Sequence, residues 1–179
     1  EPWVHVVPIP DTYRGKDRDY LGELSDIVDD AKPVAGILIE SILSCAGQVP
    51  LPTGYLNSAF EKIRSVGGLC IADEVQVGFG RVGNNYWAFE EHGVIPDIVT
   101  LGKPMGNGHP IGAVVTTKKI ANTFNNGMEY FNSFGGNPVS CAVGNAVLDV
   151  IEKDNLQKNS KVVGDYFTKK LKYIQKKFP

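Results

Sequence analysis

The sequence predicts an α/β fold, a mostly parallel sheet with flanking helices. Three observations carry this expectation. Short apolar runs rich in β-branched residues recur at Val34–Leu43, Leu69–Ala72 and Asp97–Leu101. Stretches with helical apolar spacing, Tyr20–Ala31 and Tyr55–Val66, precede and follow the first of them. Glu40, Asp73 and Lys103 fall at or just beyond the C-terminal ends of those runs, where open parallel sheets gather their ligands.

Taken in order, the chain begins with a segment punctuated by Pro2, Pro8 and Pro10, with the short apolar run Val4–Val7 between them. It reads as a strand entering an irregular loop, Pro10–Gly15, in which Tyr13 and Arg14 either face a site or sit on a surface turn. Leu21, Leu24, Ile27 and Val28 then repeat with helical period, and Pro33 stops that helix. Val34–Leu43 is almost continuously apolar, as expected for a central strand buried on both faces. Its one acid, Glu40, needs a strand mouth or a partner to be tolerated. Leu56, Phe60 and Ile63 mark the apolar side of the next helix, which Gly67 and Gly68 end. Leu69–Ala72 and Asp97–Leu101 are strands, with a short helix expected at Tyr86–His92. Ile111–Thr117 is a further strand and Lys118–Phe124 a helix. Residues 125–138 form a loop rich in glycine and asparagine, after which Val139–Glu152 and Asn155–Phe178 are expected as long helices.

Composition bounds the function classes. At 179 residues, 42% hydrophobic and 21% charged, the chain has material for one well-filled core and is not a disordered type. A net charge of −2 gives no bulk attraction for nucleic acid or an anionic membrane. The lysines clustered toward the end read as the solvated side of a helix. Three cysteines, Cys45, Cys70 and Cys141, are odd in number and widely spaced, so neither a disulfide framework nor a zinc pattern follows. Apolar neighbours make Cys70 and Cys141 expected core thiols. The expected home is an intracellular, reducing compartment, cytoplasmic or mitochondrial. His5, His92 and His109 are too scattered to propose a metal centre.

The stretch from Leu69 to Thr116 carries the chemistry. A strand delivers Asp73 and Glu74, followed by Gln76, Gly78 and Gly80. The next strand delivers Gly102 and Lys103, followed by Gly106 and Gly108. A carboxylate and a lysine on strand ends are what pyridoxal phosphate requires, the lysine for covalent attachment and the carboxylate for the pyridinium nitrogen. Glycines around Lys103 allow close approach of backbone and cofactor. From spacing alone, a surface-loop lysine and a helix-capping or ion-paired Asp73 stay open beside that reading. Glu74 reads as a supporting or structural acid. The GFGR and GNGHP segments match neither nucleotide-binding glycine motif.

Three segments, Ile71–Arg81 (IADEVQVGFGR), Thr100–Val115 (TLGKPMGNGHPIGAVV) and Phe131–Gly144 (FNSFGGNPVSCAVG), together resemble class III, ornithine aminotransferase-like pyridoxal phosphate enzymes of fold type I. The order and spacing of the segments match that family, and PDTYRG and PTGYL extend the likeness over nearly the whole chain. The resemblance implies that Lys103 bears the cofactor, Asp73 partners its pyridinium nitrogen and Gln76 bonds its phenolic oxygen. It implies that Ser133 reaches the cofactor phosphate of the neighbouring subunit, so that a homodimer shares its active sites, and that Glu40 supports Asp73 or the nearby loop. It further implies that residues 1–138 are the second half of the cofactor-binding large domain. Residues 139–179 are then helices leading into the small C-terminal domain.

Where many members read Glu-Pro-Ile-Gln-Gly-Glu, this chain reads Glu40, Ser41, Ile42, Leu43, Ser44, Cys45. In ornithine aminotransferase-like members the second glutamate helps manage the arginine that binds the substrate carboxylate, and Cys45 cannot do so. ESILSCAGQ and GKPMGNGHP are similar to the phospho-lyase branch, which acts on ethanolamine phosphate or 5-phosphohydroxylysine. The resemblance therefore implies a small phosphorylated amine as substrate, with loss of phosphate and ammonia. An ω-amino acid or alanine-type aminotransferase, and a catalytically inert fragment, are the alternatives. A glycine-rich turn that cradles the cofactor phosphate is expected upstream of Glu1, so these residues alone are expected to bind cofactor weakly and to be inactive.

Overall fold

The computed structural model describes residues 1–178. Helix α1 (Tyr20–Asp30) starts at Asp19, whose side chain accepts from the Gly22 amide at 2.9 Å and satisfies one of the donors a first turn leaves free. Strand β1 (Gly36–Glu40) follows, then a small antiparallel hairpin of β2 (Ile42–Leu43) and β3 (Val49–Pro50). Helix α2 (Tyr55–Ser65) leads to β4 (Leu69–Asp73), β5 (Ile98–Leu101) and β6 (Ala113–Thr116). The sheet order is β1-β4-β5-β6, with the first three strands parallel and β6 antiparallel to β5. Eleven residues at most separate β5 from β6, too few for the crossover that a parallel pair needs.

One face of this sheet is closed. Leu24 and Val28 from α1 meet Leu56, Ala59, Phe60 and Ile63 from α2, over Cys70 of β4 and Ile37 and Ile39 of β1. The opposite face is open: Leu38, one residue along from Ile37, is 63% exposed. Among the described residues Val34–Leu43 is therefore covered on one face only, where its composition suggests a strand buried on both. Among the described residues β1 is an edge strand, and the apolar run breaks at Ser41, where the chain leaves the sheet to enter the hairpin. Tyr86–His92 contracts to a 3-10 turn, Ala88–His92.

Helices α3 (Lys118–Phe124), α4 (Pro138–Lys153) and α5 (Leu156–Lys177) complete the chain. Asn137 caps α4 by accepting from the Ser140 amide at 2.9 Å, with Pro138 in the first turn where its missing N–H costs nothing. Cys141 lies on an exposed side of α4, so it is not the core thiol expected from its neighbours, whereas Cys70 is fully buried. Burial pushes the Cys70 thiol up to about 11, which keeps it protonated and inert.

Candidate active site

The C-terminal ends of β1, β4 and β5 stand side by side. Glu40 is the register partner of Asp73, and Asp73 of Thr100, three residues before Lys103. Asp73 accepts from the Val75 amide through Oδ1 at 2.9 Å, and Oδ2 has no hydrogen-bond partner among the described residues. Thr100 holds the one buried side-chain oxygen there that lacks a hydrogen bond. The Glu40 side chain accepts from the Ser44 amide at 2.9 Å and from the Ser44 hydroxyl at 2.6 Å. Of the two roles expected for Glu40, supporting the loop is the one with a contact behind it.

Lys103 opens a short 3-10 turn, Lys103–Met105, with φ at 29°, a left-handed backbone that costs a non-glycine residue about 1–3 kcal/mol. Such strain is characteristic of residues held in place for a task. The turn after it is tight: a Cβ on Gly106 would sit 2.0 Å from the His109 carbonyl oxygen, so only glycine fits. The Lys103 ammonium donates to Gln76 Oε1 at 2.5 Å, which joins the segments that follow β4 and β5.

Beneath these groups lies a carboxylate with no exposure. Glu74 accepts from the Ser41 hydroxyl at 2.6 Å, the Ala88 amide at 2.8 Å and the Phe89 amide at 3.0 Å. Its own amide donates to Thr100 O at 3.0 Å, and His92 Nε2 lies 3.0 Å from Ser41 O. Glu74 thus ties together the end of β1, the end of β5 and the turn at Ala88–His92. Burial pushes its carboxyl above the usual range, against three donors that favour the charged form. This confirms the structural role read for Glu74. Its partner Ser41 was not singled out from sequence, although a small polar residue ending an apolar run is a usable signal.

The structure brings the expected residues together as two pairs. Lys103 and Gln76 line one cleft of about 530 Å³, with Gln48 and Arg81. Asp73 and Glu40 line a neighbouring groove of about 790 Å³ beside Val4–Pro10 and β1. Ser133 lies on the exposed loop between α3 and α4, and no contact joins it to either pair among the described residues. The first turn of α4, just after that loop, is tied to the Lys103 segment: His109 Nε2 sits 2.8 Å from the Ser140 hydroxyl. Tyr13 is 88% exposed and Arg14 pairs locally with Asp11 at 2.8 Å, so the PDTYRG segment is a surface turn. Among the described residues there is no cluster of metal-ligating side chains, and no helix is long and apolar enough to cross a membrane.

This donor set fits pyridoxal phosphate. A carboxylate with one uncommitted oxygen and, beyond the next strand end, a lysine bonded to an amide supply the types of contact that the ring nitrogen, the aldehyde carbon and the phenolic oxygen need. The comparisons with known proteins agree. The family model Aminotransferase class-III matches residues 1–179. The chain is 49% identical over 192 residues to alanine–glyoxylate aminotransferase 2-like of Drosophila melanogaster, which covers 98% of this chain and 39% of that protein. It is 41% identical over 198 residues to ethanolamine-phosphate phospho-lyase homolog 1 of Caenorhabditis elegans, covering 98% of this chain and 42% of that one. A phospholyase from Arthrobacter, solved in complex with phosphoethanolamine, superposes with a TM-score of 0.87 at 37% identity, over 95% of this chain and 43% of that structure. The chain spans about two fifths of the length of these relatives. It belongs to the class-III aminotransferase family of fold type I, pyridoxal phosphate-dependent enzymes.

Proposed function

We propose that the whole protein is a phospho-lyase that eliminates phosphate and ammonia from a small phosphorylated primary amine such as phosphoethanolamine. The observation that carries this reading is Cys45, which stands on the exposed hairpin where a transaminase of this family places its second glutamate. The likeness to the Arthrobacter phospholyase supports it. A second reading, amino transfer of the alanine–glyoxylate type, is favoured by the 49% identity to the Drosophila relative.

In this reading Lys103 carries the cofactor, Asp73 holds the ring nitrogen protonated and Gln76 bonds the phenolic oxygen. Glu40 holds the hairpin in place through Ser44, and Ser133 reaches the cofactor phosphate of a second copy in a homodimer. Residues 1–138 belong to the large domain and residues 139–179 begin the small one. An intracellular location, cytoplasmic or mitochondrial, goes with this chemistry. Bound pyridoxal phosphate supplies an electron-accepting ring. Lys103 Nζ, once free as an amine, takes the proton from the carbon that bears the substrate nitrogen. The C–O bond on the neighbouring carbon then breaks and phosphate departs with that electron pair. Water completes the reaction, giving aldehyde and ammonia. Gln76 sets where the Lys103 amine rests before that transfer.

The test is phosphate release by the intact, cofactor-loaded protein from phosphoethanolamine and from 5-phosphohydroxylysine, alongside amino transfer to glyoxylate. Phosphate release from one of the two is the expected result, falling by about 10³-fold or more in Lys103→Ala. No release from either, with amino transfer intact, would replace the lyase reading by the transaminase one.

A further inference from the structure

Lys103 sits in a segment with few ties to the rest of the molecule. Residues 102–112 fold back on themselves through short-range bonds. The Met105 amide donates to Gly102 O at 2.9 Å, the Asn107 amide to Lys103 O at 3.1 Å and the His109 amide to Gly106 O at 3.0 Å. Among the described residues, two side-chain hydrogen bonds lead out of the segment, Lys103 to Gln76 and His109 to Ser140. The left-handed backbone at Lys103, φ 29°, persists only where surrounding contacts over-determine it. Covalent use of Lys103 consumes the ammonium that donates to Gln76. Of the two bonds, the one at His109 is then the one that remains.

That bond ends on a rigid partner. Ser140 lies in the first turn of α4, where Asn137 Oδ1 accepts from its amide at 2.9 Å. Asn137 Nδ2 donates to the Ser140 hydroxyl oxygen at 2.9 Å and to Phe134 O at 2.8 Å. With one lone pair of the hydroxyl filled in this way, its proton points to His109 Nε2 at 2.8 Å, the acceptor within reach among the described residues. One turn further along α4, Ile111 lies over Gly144, where a Cβ would stand 3.5 Å from Ile111 Cδ1. His109 and Ile111 thus meet Ser140 and Gly144, which share one side of the helix. Both also pack on the turn after Lys103: a Cβ on Gly106 would come within 2.0 Å of His109 O and 2.6 Å of Ile111 Cγ2. A shift at His109 therefore passes directly to the lysine turn.

We propose that His109 is a positioning residue for Lys103. Its hydrogen bond to Ser140 clamps the lysine turn onto α4, so that Nζ keeps its place when Lys103 is released from the cofactor and acts as the base. This rests on Lys103 as cofactor lysine and proton acceptor, which the lyase and transaminase readings share. His109 itself touches neither substrate nor cofactor in this role.

The experiment uses the intact, cofactor-loaded protein, and the parent comes first. Visible absorbance of the lysine-bound cofactor, lost in Lys103→Ala, tests the assignment of Lys103 by itself. Turnover is then followed as phosphate release from phosphoethanolamine or as amino transfer from alanine to glyoxylate, whichever the parent performs. His109→Ala and Ser140→Ala are each expected to lower kcat by about 10- to 100-fold with KM within about two-fold, because a displaced base slows proton transfer and not substrate binding. Visible circular dichroism of the bound cofactor, which needs no turnover, is expected to fall in both at unchanged absorbance. His109→Gln, whose amide reaches about as far as Nε2, is expected to recover most of both signals. The double variant is expected to do no worse than either single one, since both remove the same bond. A His109→Ala protein with kcat within about two-fold of the parent, or with its loss in KM alone, overturns the proposal. Unchanged circular dichroism, a His109→Gln as poor as His109→Ala, or losses that multiply in the double variant overturn it as well.

Discussion

Residues 20–116 and residues 118–177 are both regular and differ in what covers them. In the first region α1 and α2 each bury an apolar stripe on one face of the sheet, down to zero exposure at Leu24, Leu56 and Ala59. In the second, α3 and α5 bury no residue and α4 buries only Gly144. Yet α5 repeats Val163, Phe167, Leu171 and Ile174 at helical spacing, as clear a stripe as that of α2. Those side chains are 54%, 60%, 48% and 51% exposed. Period and capping write a helix into a sequence. They do not say whether its partner surface lies within the same stretch of chain.

The sharpest way to break that contrast is to cut the same side chain from both stripes in residues 1–179 as a polypeptide of their own. Phe60→Ala empties a fully packed site and is expected to cost about 3–5 kcal/mol in urea unfolding. Phe167→Ala removes a ring that is 60% exposed and is expected to stay within about 0.5 kcal/mol. Equal losses would show that the α5 stripe is packed as tightly as the α2 stripe, and the contrast would vanish.

A smaller effect sharpens the picture inside the covered region. Glu74 accepts with both oxygens, from one hydroxyl and two amides. Glu74→Gln preserves the shape but turns one oxygen into an NH₂ that must face a backbone donor, in either orientation of the amide. The expected loss is about 1–3 kcal/mol of stability, from one unpaired buried donor pair. A variant as stable as the parent would mean that the turn at Ala88–His92 does not depend on this carboxylate.

The fold was legible wherever a single period decided the matter. Leu69–Ala72 and Asp97–Leu101 are strands, and the helices of both regions begin within a few residues of where caps and spacing place them. Glu40, Asp73 and Lys103 were legible as neighbours because parallel strands bring their ends to one edge. What escaped depends on cover or on a distant contact. The open face of β1 could not be read, because an apolar run looks the same whether one face or two are buried. Cys141 failed for the same reason. Ser41 escaped because its role comes from a contact across 33 residues, which has no period.

The smallest prediction sets an exposed acid of the covered region against its buried one. Asp29, at the end of α1, sits 2.7 Å from both Lys32 and Lys62. Hydrogen bonds from those two lysines, Lys32 first, hold its carboxyl at about 2 against an ordinary 3.8. A depressed acid stabilises the fold above its unfolded value, and that support is lost as pH falls from 3.8 through about 2. Glu74 has the opposite sign: its raised carboxyl favours the fold most below the ordinary glutamate value and loses that contribution as pH rises through the folded one. Acidification should therefore weaken the Asp29 pair while relieving Glu74. Because the Asp29 pairs are open to solvent, their contribution is small and screened by salt. Carboxyl NMR is expected to show Asp29 titrating at about 2, and Asn at this position should flatten the stability loss in that window. A midpoint at the ordinary value would show that the two lysines do not hold it in solution.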